Sequence, residues 1–190
     1  MKTIKKTIVL VAIVLGTLSS YAINLENTTS IVEKIEFNNV KEGQFWSIKN
    51  ASGKVLHNEV ILKNGSFQKE FNFSSLKNGY YTIELHKDFY IEVIPFTIVK
   101  EQVNFFKNAK EVIYKPVFRT LENKLLVSKL DFNKTSLKIQ IYYENELIFK
   151  DVIKGEEMLQ RVYALEKEKK GAYKVVVEAN KRVFTNEFVL

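Results

Sequence analysis

Only two side chains in this sequence of 190 residues can act as neutral-pH bases or imidazole ligands, His57 and His86, and there is no cysteine. Neither histidine has a second one at ligand spacing, so no zinc site is expected. Ser66 or Ser74 could be combined with His86 and Asp88 into a triad, but no nucleophile-elbow context surrounds either serine. Glu156-Glu157 are adjacent acids on a turn, which do not face each other across a sugar ring. Asp88, Asp131 and Asp151 lie in no oxygen-rich loop of calcium-binding spacing, and no glycine-rich phosphate loop occurs. The expectation is therefore no catalytic residue, no cofactor, no metal and no enzyme.

The aromatic residues are more suggestive. Tyr80, Tyr81, Phe89 and Tyr90 read as a cluster at one strand end, with Trp46 nearby in sequence and Tyr142-Tyr143 at the matching turn further on. Adjacent residues of a strand point to opposite faces, so one of each pair faces outward or into a junction. Trp46, Tyr80, Tyr90, Tyr142 and Tyr143 form the candidate binding surface. The plain alternative is that the core or an interface between modules buries them. Exposed rings are a common surface for sugars or partner proteins.

The elements that must position these residues are strands. Apolar alternation predicts them near 31–37, 44–49, 54–62, 66–73, 80–86 and 91–99, then 112–120, 124–131, 136–143, 147–153, 159–164, 172–179 and 182–190. Turn signals separate them, among them Asn50-Ala51-Ser52-Gly53, Asn64-Gly65 and Lys77-Asn78-Gly79. Shifting the chain by 92 residues lays Phe45–Ile98 on Leu137–Leu190 without a gap. Glu59 then falls on Asp151, Lys69 on Arg161, Phe71 on Tyr163, Gly79 on Gly171, Tyr81 on Tyr173 and Phe96 on Phe188. A slip of one residue would turn every side chain to the wrong face, so a shared phase implies a shared fold. The reading is all-β: two tandem Ig-like antiparallel sandwiches, residues 23–102 and 103–190, after a leader of residues 1–22. Gln102-Val103-Asn104-Phe105-Phe106 is too apolar for a free linker and is expected to continue the last strand or pack at the module interface.

The leader has a basic start at Lys2, Lys5 and Lys6, an apolar run from Ile8 to Leu18, and Ser20-Tyr21-Ala22 before the expected cleavage point. It is too short to span a bilayer, so no membrane span is expected in the mature chain. Of 29 basic residues it holds three, leaving 26 against 22 acids, a net +4 instead of +7. The remaining lysines are interspersed with acids, as at Glu166–Lys170, which does not make a nucleic-acid footprint. Without cysteine no disulfide supports an exported fold, and burial alone must hold it.

The stretch 137–190 is similar to small Ig-like modules of exported Bacteroidetes proteins. It runs Glu144-Asn145-Glu146, then Leu147–Ile153, then Lys170-Gly171-Ala172-Tyr173, and finishes at Phe188-Val189-Leu190. Those modules include uncharacterised secreted domains and the C-terminal sorting domains of type IX secretion substrates. Gly79–Tyr81 and Gly171–Tyr173 resemble the penultimate strand of such modules, and Ser52-Gly53-Lys54-Val55-Leu56-His57 their central hairpin. The resemblance implies an exported protein; together with the leader and the thin catalytic inventory, the expectation is a non-enzymatic protein of the periplasm or cell surface, with an unknown envelope protein or glycan as partner. With the aromatic residues, the reading is a protein- or glycan-binding or adhesive module, working by strand-edge pairing or by a loop-end aromatic patch, or alternatively a structural assembly or spacer subunit or a degenerate sorting module.

Overall fold

A computed structural model describes residues 30–155 and 157–190; the leader expected at residues 1–22 lies outside the described residues. Alternating patterns become strands almost everywhere they were expected. The N-terminal half contains β1 (Val32–Val40), β2 (Phe45–Asn50), β3 (Val55–Val60), β4 (Gly65–Asn72), β5 (Gly79–His86), β6 (Tyr90–Val99), β7 (Gln102–Phe105) and β8 (Glu111–Tyr114). The C-terminal half follows with β9 (Val117–Leu121), β10 (Lys124–Leu130), β11 (Leu137–Tyr143), β12 (Glu146–Ile153), β13 (Met158–Ala164), β14 (Ala172–Ala179) and β15 (Arg182–Val189).

In the first half, β1 and β4 pair and lie against a sheet ordered β3-β2-β5-β6-β7, with β8 also on β6. In the second, β13-β10-β9 lies against β12-β11-β14-β15. Every pairing is antiparallel. The fold is an all-β sandwich. Each half buries its own cluster: Trp46, Ile48, Phe73, Ile83, Leu85 and Phe96 in the first, Leu125, Val127, Ile139, Ile141, Tyr173 and Val175 in the second.

Local detail recurs at the spacing of 92. Tyr81 Oη donates to the Lys77 carbonyl at 2.7 Å, and Tyr173 Oη to that of Lys169 at 3.1 Å. Both are tyrosine corners, which tie the start of a strand to the loop before it. Each ring then stacks on a phenylalanine of the next strand, Tyr81 on Phe96 at 5.3 Å and Tyr173 on Phe188 at 5.5 Å. The edge strands β3 and β12 even share a bulge, at Leu56 and at Ile148. A bulge kinks the ladder and discourages edge-to-edge pairing.

Two sequence expectations need correction. The gapless alignment fails at β2. Trp46 lies opposite Leu85, whereas the residue opposite Val177 is Ile139, so Trp46 corresponds to Ile139, 93 positions on. Keeping 92 would lay buried Trp46 on exposed Lys138; burial of Leu137, Ile139 and Ile141 sets the phase. The strand expected at 112–120 is also two strands. Proline has no N–H to donate to a ladder, and the chain leaves the first sheet at Lys115-Pro116. β8 completes the pairing with β6, and β9 opens the pairing with β10. β7 folds back on β6, so the boundary expected between 102 and 103 falls inside β7, the second arm of a hydrogen-bonded hairpin, and the first sheet extends to Tyr114.

Candidate functional site

The antiparallel turn between β5 and β6 separates the residues expected to cluster. Tyr80 is near the start of β5 while Phe89 and Tyr90 stand beyond its other end; Tyr80 pairs with Thr97, seven residues along β6 from Tyr90, roughly 23 Å at the usual rise. Tyr80 is 72% exposed. Trp46 leaves the candidate surface altogether: it is fully buried, packed against His57 at 4.6 Å and Phe71 at 5.8 Å. Its position in β2 gives it the inward phase. Tyr142 and Tyr143 are half-buried and already engaged, Tyr142 with Lys174 over its ring and Tyr143 against Tyr173 at 5.0 Å. Tyr143 Oη also donates to the Lys170 carbonyl at 3.1 Å. This contact explains Gly171, where a Cβ would run into the Glu144 carboxylate and the Tyr143 ring.

Tyr90 is different. It stands directly opposite Tyr114 of β8, ring centroids 6.3 Å apart, and Tyr114 meets Phe132 edge-on at 5.8 Å. Phe132 follows β10, so the row of rings crosses from one half to the other. Phe89 in the preceding turn is 67% exposed and Phe132 is 61% exposed. Tyr114 and Phe132 were missed in the sequence because each is a single aromatic in its own segment; only the pairing of β8 with β6 brings them together.

Beside Phe89 and Tyr90 opens a cleft of about 530 Å³, walled by the β1–β2 connection and the β5–β6 turn. Its polar groups are held in place. Gln44, 7% exposed, donates through Nε2 to Asp88 Oδ1 at 2.9 Å, while Lys41 donates to Asp88 Oδ2 at 2.9 Å. The bonds from Gln44 and Lys41 hold the Asp88 carboxyl below the usual carboxylate range. Glu92 is lowered as well: burial pushes its carboxyl up, but the ammonium groups of Lys110 and Lys87 outweigh it. Lys87 spans the cleft, reaching the Asn38 and Asn39 carbonyls and lying 5.6 Å from the Tyr90 ring centre. Such a wall offers ring faces, fixed carboxylates and amides side by side.

Behind it, on the outer face of β5, sits a buried charge. Glu84, 2% exposed, accepts two parallel bonds from Arg182 of β15, at 2.8 and 2.7 Å, and Lys49 Nζ stands at 2.7 Å. Burial pushes the Glu84 carboxyl up, yet the bonds from His86, Arg182 and Lys49 hold it far below the usual range.

The histidines are taken up by packing. His57, half-buried, lies with Nε2 3.3 Å from Glu59 and packs its ring on Trp46 and Phe71, and His86 stacks on Phe45 at 4.2 Å. The triad considered in the sequence is not assembled: Asp88 serves Lys41 and Gln44, Ser66 donates to Asn38, and Ser74 accepts from the Ile31 amide. Among the described residues no three His, Asp or Glu side chains gather as a metal site, and no helix is long and apolar enough to cross a membrane.

Residues 26–100 match the secretion system C-terminal sorting domain. That match sets the chain among exported proteins bound for the cell surface or extracellular space, and the resemblance read in the residues holds for the N-terminal half. Residues 137–190, on which it was chiefly read, lie outside the matched segment. No curated protein matches. Among solved structures, a biofilm-associated protein's BSP domain overlays with TM-score 0.30 at 11% identity, covering 86% of this chain and 27% of that one. The chain thus spans about a quarter of that protein's length. Drosophila OTK extracellular domains 3–5 overlay with TM-score 0.22 at 8% identity, covering 83% of this chain and 90% of that one. Overlays this loose carry no argument about function.

Proposed function

We propose that this chain is a non-enzymatic binding module of the cell envelope, made of two copies of one Ig-like unit. Its ligand is a glycan, held at the cleft beside Phe89 and Tyr90. The observation that carries this reading is the row Tyr90–Tyr114–Phe132, which ends on the exposed Phe132, with exposed Phe89 and preset carboxylate and amide groups lining the cleft at Tyr90. Apolar faces of a sugar ring stack on aromatic side chains, and its hydroxyls need fixed acceptors and donors of the kind Asp88, Gln44 and Lys87 supply. Recurrence of the tyrosine corner, the stacked pair and the bulge 92 residues apart supports duplication.

The test is binding of the full chain to a printed array of bacterial and plant polysaccharides. Phe89→Ala and Tyr90→Ala should each weaken retention about tenfold, while Tyr143→Ala, at the far end of the second half, should leave it unchanged. Retention of an envelope protein instead of any polysaccharide would move the ligand class, and indifference to Tyr90→Ala would remove the cleft from the account. A second reading, a spacer that sets distance between other proteins, is favoured by the ion pair joining the halves through Glu84 and Arg182.

A further inference from the structure

The row of rings belongs to neither half alone. Tyr90 and Tyr114 are neighbours in the first sheet, but Phe132 arrives on the loop after β10. Its place against Tyr114 depends on how the second half is set against the first. Three ties fix that setting. The covalent one is short, Lys115-Pro116, with the Lys115 amide bonded to the Phe89 carbonyl at 2.9 Å and its Nζ to the Lys87 carbonyl at 2.5 Å. The second is the Phe132–Tyr114 contact itself. The third is Arg182, whose planar fork grips both oxygens of Glu84.

Arg182 is held to its task. It is the first residue of β15, directly after a tight turn in which Asn180 and Lys181 take φ of 51° and 57°, the left-handed pair that makes a two-residue hairpin connection. Glu84 is equally fixed, in the middle of β5 with Lys49 and His86 on either side. Side chains of both residues are mostly or wholly buried, so the pair is poorly screened; removing Glu84 strands the guanidinium, while removing Arg182 leaves Glu84 to Lys49 and His86 alone.

We propose that the Glu84–Arg182 pair is a clamp that holds the two halves in the one setting that completes the aromatic surface, so recognition occurs at the junction. This rests on the aromatic cleft being the binding site, and it adds what controls that site. A ligand able to span Phe89, Tyr114 and Phe132 must be extended, which points to a polysaccharide chain and away from a single sugar.

The sequence has no cysteine, so a pair introduced as Lys77→Cys and Lys150→Cys in the full chain reports one inter-half distance by spin-label spectroscopy. The unaltered clamp should give a single narrow distribution. Arg182→Gln should broaden it and weaken retention on the polysaccharide array about tenfold. Phe132→Ala removes one exposed ring contact and leaves the ion pair and the Lys115 bonds in place, so it should weaken retention similarly while broadening the distribution less than Arg182→Gln does. Glu84→Gln with Arg182→Gln removes both charges together, and near-ultraviolet circular dichroism checks that each half is still packed. An unchanged distribution in the double variant overturns the clamp. A broadened distribution with full retention overturns its link to recognition. If the parent chain binds no polysaccharide at all, the binding reading falls, while the distance measurement still decides the clamp.

Discussion

Phe37 and Lys129 hold the same place in the two halves. Phe37 sits opposite Phe67 in the β1–β4 ladder, and Lys129, 92 residues on, sits opposite Leu159 in the β10–β13 ladder. Both point inward, 4% and 3% exposed. Around Phe37 the solution is aromatic: its ring lies 5.9 Å from Phe67 and 6.1 Å from Trp46. Around Lys129 it is ionic, with Asp131 at 3.3 Å and the Leu130 carbonyl taking another bond at 3.1 Å. Asp131 in turn accepts from the Thr135 amide and hydroxyl at 2.6 and 2.5 Å. One backbone plan therefore tolerates either a large ring or a buried pair, provided the volume is filled and each charge is answered. The chemistry left at the site differs: burial lowers the Lys129 ammonium despite Asp131, and Asp131 is held low by Thr135 and Lys129 against its own burial.

The comparison breaks most decisively at Asp131. Asp131→Ala leaves Lys129 buried without its partner and should cost about 3–5 kcal/mol in urea unfolding. Adding Lys129→Met should restore most of that loss, because the second half then resembles the first. A cost under about 1 kcal/mol would mean Lys129 reaches water unaided. Acid sharpens the contrast elsewhere. Glu84 has a folded pKa far below its unfolded value near 4.3, so its contribution is complete above that value and lost as pH falls below it. Stability measured from pH 5 down to pH 2 should drop more steeply in the parent than in Glu84→Gln. Equal slopes would show that Arg182 and Lys49 do not stabilise the carboxylate.

Why some of this was legible in the sequence and some was not follows from the range of each interaction. Strand positions depend on a local period of two, and Leu137-Lys138-Ile139-Gln140-Ile141 states it openly. Glu59 with Lys69 and Asp151 with Arg161 also survive translation, because both members of each pair stay in register. Trp46 was misplaced because a one-residue insertion before β11, offset by a shorter hairpin after it, is invisible when apolar residues alternate on both sides. The aromatic row was out of reach for another reason. Tyr90, Tyr114 and Phe132 are far apart in the chain, and their meeting depends on β8 folding back onto β6, a pairing that Pro116 ends but that no local pattern announces. Arg182, 98 residues from Glu84, is as silent.

Middle-sized effects should be equal in the two halves. Tyr81→Phe and Tyr173→Phe each delete one bond from a phenol to a backbone carbonyl, worth about 0.5–1.5 kcal/mol net, and leave the stacked rings intact. Thermal unfolding should report similar losses for both. A loss confined to one variant would mean that only one corner supports its loop, and the likeness of the halves would then be one of shape alone.

The smallest contrast is at the rim. Lys69 meets Glu59 at 2.5 Å, and Arg161 meets Asp151 at 3.0 Å. Exposed pairs of this kind contribute about 0–1 kcal/mol. Asp151 has a second commitment, since the Tyr163 hydroxyl donates to it at 2.8 Å, where the first half has Phe71 with no hydroxyl to give. Burial and that bond push the Tyr163 phenol well above its ordinary value. Lys69→Ala should therefore barely move urea unfolding, whereas Asp151→Ala should cost more, because it strands a buried phenol as well as a guanidinium. Tyr163→Phe combined with Asp151→Ala should bring the second half back to the small cost of the first; if the two changes simply add, the hydroxyl and the carboxylate are not coupled and the extra bond is incidental.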